Sequence, residues 1–383
     1  MRVFLIAGEP SGDRLGGALM AGLRSLRPDV SFEGVGGPEM QAQGLESQFP
    51  MEELSVMGLS EILPKYFHLK RRIAETAEAV LKARPDVLIT IDSPDFCLRV
   101  AKLVKAGGST RCVHYVAPTV WAWRPGRAAK MARMIDQVLA LFPFEPPYME
   151  AAGMDCDFVG HPVVADPQAS DEEIAQFRQE TGLGESRWLL VLPGSRRSEV
   201  TRLSGVFGDT LKLFIARHPD MRIVLPSARP VAGLVEELTA DWPGNPVVID
   251  PRQLDPETAA RRKRAAFLGA TMALAASGTV SLELAAADTP MVIAYDMSWA
   301  SRRIIQWMLR VDTVTLVNLV AESRTVPEFI GAACQPAMIA DGLEDVFNAP
   351  DAQREAMALT MERLGKGGEA PGLRAARAVL ARL

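Results

Sequence analysis

The chain has 383 residues, 48% of them hydrophobic and 23% charged, which at ~150 residues per domain suits two globular domains with sizeable cores. Its 42 basic and 47 acidic side chains leave a formal net charge of -5. No basic field therefore argues for nucleic acid, and no stripe alternates aromatics with Lys or Arg as single-strand binders do. The four cysteines, Cys97, Cys112, Cys156 and Cys334, form no C-x-x-C pair and fit a reduced cytoplasm better than a disulfide framework.

Residues 3–7 (VFLIA) read as a first strand, too short for a signal-peptide core, and run into the turn AGEPSGD at 7–13. Further strands are expected at 87–91 (VLITI), 111–116 (RCVHYV), 137–141 (QVLAL) and 156–159 (CDFV). Helix-like segments separate them, an alternation that implies βαβ units and a parallel sheet. The pattern restarts with a charged helix at 171–181, stopping at Gly182, then strands at 188–192 (WLLVL), 222–225, 247–249, 272–276 and 290–294. The boundary between the halves falls near 161–168. The uncharged stretch 265–282 is long enough to raise a membrane span, but it carries Gly269, Thr271, Ser277, Gly278 and Thr279. It reads as a buried strand, a glycine turn and a helix start, and no transmembrane helix is expected. The Arg-rich, amphipathic stretch 356–383 reads as a closing helix.

The expected fold is α/β: two tandem Rossmann-like, doubly wound domains facing a cleft. Residues 1–165, completed by 356–383, form one domain and 166–355 the other. Ligands of open α/β sheets bind beyond the carboxyl ends of the strands. In the second half Gly194, Ser195 and Arg196 follow one strand, and Ser277, Gly278 and Thr279 follow another and open a helix. Glycine permits close backbone approach, helix-start N–H groups favour an anion, and arginine neutralises it. Glu283, one turn further on, is placed to accept from ribose hydroxyls. Together these suit a nucleoside diphosphate.

The first half offers carboxylates instead. Asp92, in IDSPDF at 91–96, ends a strand where a side chain can enter the cleft and take a proton from a sugar hydroxyl. Glu9 and Asp13 are rivals for that role, and Ser11 could bind sugar hydroxyls. Alternatively, Asp92 or Asp95 caps the next helix. Trp121 and Trp123 lie beside Arg124, Arg127 and Lys130. Aromatic faces suit sugars and the cations suit a phosphate, although Trp121 also suits a core. The segment 57–72 is dense in apolar side chains, among them Met57, Leu59, Ile62, Leu63 and Phe67, is broken by Pro64 and is followed by basic residues. It fits either a membrane-surface patch or a helix packed on the sheet. The run Arg261–Arg264 reads as a solvated helix face. Asp155-Cys156-Asp157 mimics a manganese-binding D-x-D but reads as the start of a strand, so no metal site is expected.

Ten segments in order resemble the lipid-A-disaccharide synthases, bacterial glycosyltransferases of the GT-B fold. They are AGEPSGD (7–13), VGGPEMQAQG (35–44), MEELSVMG (51–58), IDSPDF (91–96), HYVAPTVWAWR (114–124), LFPFE (141–145), FVGHPVV (158–164), LPGSRRSEV (192–200), ASGTVSLE (276–283) and LVNLV (316–320). One departure is Val317 ahead of Asn318, where Pro is expected. The resemblance implies that UDP-2,3-diacylglucosamine donates its sugar to 2,3-diacylglucosamine 1-phosphate. The products are the β-1,6-linked lipid A disaccharide 1-phosphate and UDP, with inversion and with neither metal nor cofactor. It implies Asp92 as the base, Arg196 on the diphosphate, and Ser277, Gly278, Thr279, Glu283 and Asn318 in UDP-binding segments. Acceptor contacts fall to Ser11, Trp123 and Arg124. It also implies a cytoplasmic enzyme peripheral on the inner membrane's cytoplasmic face, docking by the 57–69 patch onto anionic lipid, and allows a homodimer.

Two other readings are weighed. Another UDP-sugar enzyme of the same fold, a UDP-N-acetylglucosamine 2-epimerase or a soluble-acceptor transferase, would not interact with diacyl acceptors. A dinucleotide-binding protein would carry G-x-G-x-x-G after the first strand, which AGEPSGD lacks.

Overall fold

The computed structural model describes residues 1–54, 59–122, 126–297, 303 and 311–383, with the side chains of 59–65 left aside. Two compact units emerge, Met1–Ala165 with Leu364–Leu383, and Asp166–Arg363. Each is a six-stranded parallel sheet with helices on its faces.

The first unit's strands are β1 (Arg2–Ala7), β2 (Ser31–Val35), β3 (Val87–Ile91), β4 (Arg111–Tyr115), β5 (Gln137–Ala140) and β6 (Asp155–Phe158), in the spatial order β2-β1-β3-β4-β5-β6. Central strands such as β3 are buried along their whole length. They must be apolar throughout because helices cover both faces. The helices α1 (Pro10–Leu26), α2 (Pro38–Ala42), α3 (Leu59–Ala83), α4 (Pro94–Gly107), α5 (Gly126–Met131) and α6 (Pro146–Glu150) lie between strands. Among the described residues, Phe4, Leu88, Phe96, Val100 and Val138 sit in one continuous core. Pro64 does not break α3.

The second unit contains β7 (Trp188–Leu192), β8 (Arg222–Pro226), β9 (Val247–Ile249), β10 (Met272–Ala275), β11 (Met291–Tyr295) and β12 (Glu328–Ile330), ordered β12-β11-β10-β7-β8-β9. Its helices include α7 (Asp171–Thr181), α8 (Arg197–Arg217), α9 (Ala232–Thr239), α10 (Pro256–Leu268) and α11 (Val280–Ala286). A full capping box at Ser170 and Glu173 starts α7; Gly182 at φ 67° ends it, where the sequence suggested a stop.

The expected single closing helix is two helices, Asp351–Arg363 and Pro371–Leu380. Gly365 and Gly367, at φ 105° and 80°, turn the chain between them. Only the part from Leu364 onward belongs to the first unit. There Gly372 meets α1 so closely that a Cβ would lie 2.5 Å from the Ala18 carbonyl oxygen. Arg374 donates to the Phe158 carbonyl at 3.0 Å, and Gln137 Nε2 donates to that of Ala378 at 3.0 Å. No described helix is long and apolar enough to cross a membrane.

Candidate active site

In the first unit the chain reverses its winding direction between β1 and β3, which is where an open parallel sheet leaves a crevice. Ala7 pairs with Ile91, and Ile91 with Tyr115. The turns after β1, β3 and β4 therefore leave the sheet side by side. Two of them are strained: Asp92, Ser93 and Val116 have φ of 51°, 41° and 85°. Non-glycine residues in this region cost about 1–3 kcal/mol each, and such strain gathers at functional sites. The first turn is held close by glycine: a Cβ on Gly8 would lie 2.5 Å from Ser93 Oγ, and one on Gly12 would lie 3.3 Å from the Ile91 carbonyl oxygen. Ser93 Oγ is buried with no hydrogen-bond partner among the described residues.

Asp92 is half-buried. Burial raises its carboxyl above the ordinary value, against a lowering by the Ser93 backbone N–H. A raised carboxylate is a better proton acceptor near neutral pH. The side chain lines a cavity of about 410 Å³ together with Leu98, His114, Val116, Met131 and Met134. Thr90 Oγ1 lies 2.8 Å from His114 Nδ1. Burial pushes the His114 imidazole down to about 4, so it is neutral.

Asp13, expected as a rival for the base, is a different kind of group. It is 2% exposed. Its carboxylate accepts from the backbone N–H groups of Gly37 (2.8 Å), Glu39 (2.9 Å) and Met40 (3.1 Å). These are donors at the start of α2 that helix geometry leaves unpaired, so Asp13 caps a neighbouring helix. Glu9 is half-buried at the N-terminus of α1, and Ser11 is exposed in its first turn. Trp123 and Arg124 lie outside the described residues. Trp121 belongs to the core, edge-on to Phe144 at 5.1 Å. Next to it in the fold is Glu145, buried and accepting from the N–H groups of Leu141 and Phe142, both at 3.0 Å. Desolvation drives its carboxyl up to about 7.

In the second unit the reversal falls between β7 and β10, where Ala275 pairs with Leu192. The turns bearing Gly194–Arg196 and Ser277–Thr279 leave from this point. Gly194 at φ 119° and Gly278 at φ 153° adopt backbone that favours glycine. In the Gly194–Arg196 turn Glu199 accepts from Ser195 N–H (3.1 Å) and Arg196 N–H (3.3 Å). The Arg196 guanidinium also reaches Glu199, at 3.2 Å, yet its side chain remains 65% exposed. A Cβ on Gly278 would meet nothing within 4 Å. Glu283 is half-exposed and holds Lys263.

Asn318, expected in a UDP-binding segment, is engaged within the chain. It is 1% exposed. Its amide donates to the Val326 carbonyl (2.9 Å) and Thr313 Oγ1 (3.3 Å), while its oxygen accepts from Val326 N–H at 3.0 Å. The side chain therefore fastens the residues on either side of the helix Leu316–Ala321.

The D-x-D mimic is structural: Asp155 pairs with Arg111 and Arg382, and Asp157 with Arg382. The basic run is not simply solvated. Arg261 and Arg262 grip Glu180, and Arg264 grips Glu173, tying α10 to α7. In the apolar patch, Met57 lies outside the described residues, as do the side chains of Leu59, Ile62 and Leu63. Phe67 is 80% and Tyr66 47% exposed. Of the basic residues that follow, His68 and Arg72 are taken up by Glu53, and Arg71 pairs with Glu75. Lys70 is exposed. Arg99 and Lys102 on α4, which also line the cavity beside Asp92, escape motif reading. Their helical spacing was the only signal.

The family model for lipid-A-disaccharide synthetase matches residues 3–376. A lipid-A-disaccharide synthase of Ruegeria pomeroyi is 67% identical over 383 residues, covering 100% of this chain and 96% of that protein. One from Rhodospirillum centenum is 47% identical over 387 residues, covering 99% and 94%. A UDP-GlcNAc 2-epimerase of Neisseria meningitidis, solved bound to UDP-GlcNAc, has a TM-score of 0.62 at 11% identity, over 100% of this chain and 99% of that one. That likeness speaks for the fold alone, a two-domain α/β GT-B fold, as expected. Matched along nearly its whole length, the chain belongs to the lipid-A-disaccharide synthase family.

Proposed function

We propose that the chain transfers diacylglucosamine from UDP-2,3-diacylglucosamine to the 6-hydroxyl of 2,3-diacylglucosamine 1-phosphate, with Asp92 as the base. The acceptor oxygen attacks the anomeric carbon in line and its proton passes to Asp92. The bond from that carbon to the diphosphate breaks, and UDP leaves from the opposite face, inverting the centre. The observation that carries the base assignment is the strained exit of β3, which turns a half-buried carboxyl of raised pKa into a cavity. Left-handed backbone alone also ends a helix at Glu322, so the base assignment rests on its combination with a half-buried carboxyl of raised pKa facing a cavity.

The donor belongs to the second unit in this reading. Arg196, exposed, supplies positive charge to the diphosphate, and the turn at Ser277–Thr279 offers backbone N–H groups. No bound cation is invoked, since Asp155 and Asp157 are committed to arginines. Glu283 must exchange Lys263 for ribose if it serves there. Asn318 acts by shaping the segment around it. Exposed Phe67 and Tyr66 support the reading of docking on a membrane surface, at the cytoplasmic face.

Asp92→Asn tests the assignment. Turnover should fall by about 10²–10⁴-fold, the usual worth of a general base, while UDP binding persists. Near-normal turnover would remove Asp92 as the base.

A further inference from the structure

The cavity beside Asp92 is built for more than a hydroxyl. One wall is aliphatic: Leu98 from α4, Pro118 from the turn after β4, and Met131 and Met134 at the end of α5. Thioether and branched chains of this kind adapt to flexible apolar ligands. The rim is cationic, with Arg99 and Lys102 from α4 and Arg127 and Lys130 from α5. Among the described residues none of these four has a hydrogen-bond or ion-pair partner, whereas the nearby Lys105 holds Asp136 at 2.6 Å. Among the described residues that line the pocket Asp92 is the one carboxylate and His114 is neutral, so four cations stand against one acid. The one aromatic ring among those residues is the His114 imidazole, and there is no Phe, Tyr or Trp face to stack a base. A nucleotide is poorly served by such walls, and an amphiphile bearing a phosphate is well served.

We propose that this cavity is the acceptor's lipid–phosphate subsite: Arg99, Lys102, Arg127 and Lys130 hold its phosphate, and an acyl chain lies along Leu98, Pro118, Met131 and Met134. The proposal rests on the reaction given above and specifies which residues select its acceptor. The phosphate thereby becomes a recognition element, remote from the bond being made, that sets the sugar's direction relative to Asp92. Binding energy from a non-reacting group is used for orientation.

Lys102 and Lys130 are exposed, so Lys102→Glu and Lys130→Glu should leave folding intact, which a melting curve checks. With donor saturating, each should raise the acceptor KM at least about tenfold, as loss of a charge-assisted hydrogen bond does. The donor KM should stay as in the wild type. Met134→Trp, which fills the apolar end, should penalise long-chain acceptors more than short-chain ones. Direct binding to the wild-type protein should favour diacylglucosamine 1-phosphate over diacylglucosamine lacking the phosphate. Inorganic phosphate should compete with the acceptor and not with the donor. Unchanged acceptor KM in both lysine variants, equal binding of the phosphate-free sugar, or a chain-length-independent effect of Met134→Trp would each overturn the subsite. The binding comparison does not depend on turnover. A wild type that makes no disaccharide yet prefers the phosphorylated lipid would sink the reaction and keep the subsite.

Discussion

Replacing Asp13 separates a structural carboxylate from a catalytic one. Its Oδ1 accepts from Gly37 and Met40, and its Oδ2 from Glu39. Asp13→Asn can keep the pair on Oδ1 but turns an NH₂ toward the Glu39 N–H, losing one bond. An unpaired buried donor costs about 1–3 kcal/mol, and the Glu39 N–H is only part-buried. The expected loss is therefore about 1–2 kcal/mol for Asn, and about 3–6 kcal/mol for Ala, which strands all three donors. That is a large share of the roughly 5–15 kcal/mol by which a domain is stable. Urea denaturation reads these losses, and kcat/KM measured well below the melting point reads the chemistry. Asp13→Asn should unfold at lower urea while its kcat/KM stays within about twofold of wild type, because a cap does not touch the reacting atoms. A fall of about 10²-fold or more with unchanged stability would refute the reasoning and return Asp13 to the list of bases.

Glu145 predicts a pH effect of unusual sign. Its folded value of about 7 stands above the ordinary 4.5 because of burial. Between those values the folded state holds the proton more tightly than the unfolded chain. Its contribution is thus intact at low pH and is lost as pH rises through 7. Glu145→Gln removes that loss, so its stability relative to wild type should climb by about 2–3 kcal/mol from about pH 5 to about pH 8. Parallel stability curves would contradict this. Arg196→Ala should weaken UDP binding at least about tenfold, read by titration calorimetry. Unchanged affinity would end its diphosphate role.

The central strands were legible because burial on both faces forces unbroken apolar runs, as in VFLIA and VLITI. The edge strands β2 and β12 were not. In SFEGV only Gly34 and Val35 are buried, and Glu328–Ile330 is only three half-buried residues. An edge strand needs little hydrophobicity, and its partner's register defines it. The turns holding Asp92, Arg196 and Ser277 were found because strand ends are marked by polar and glycine residues after apolar runs. The engagement of each side chain was hidden. Asp13 and Asn318 look like ligand groups in a motif, yet their partners lie 24–27 residues away for one and across the loop to Val326 for the other. Glu199 folding back on Ser195 and Arg196 is likewise a three-dimensional fact. The split of the closing helix was signalled by Gly365, Gly367 and Gly368, but the apolar periodicity on either side masked it.

The most direct test of the central claim is a product assay with the purified chain, UDP-2,3-diacylglucosamine and 2,3-diacylglucosamine 1-phosphate, with a metal chelator present. The account predicts equal amounts of UDP and a β-1,6-linked disaccharide 1-phosphate, and both formed about 10²–10⁴-fold more slowly with Asp92→Asn. UDP release without disaccharide, or disaccharide at a wild-type rate from Asp92→Asn, would contradict it.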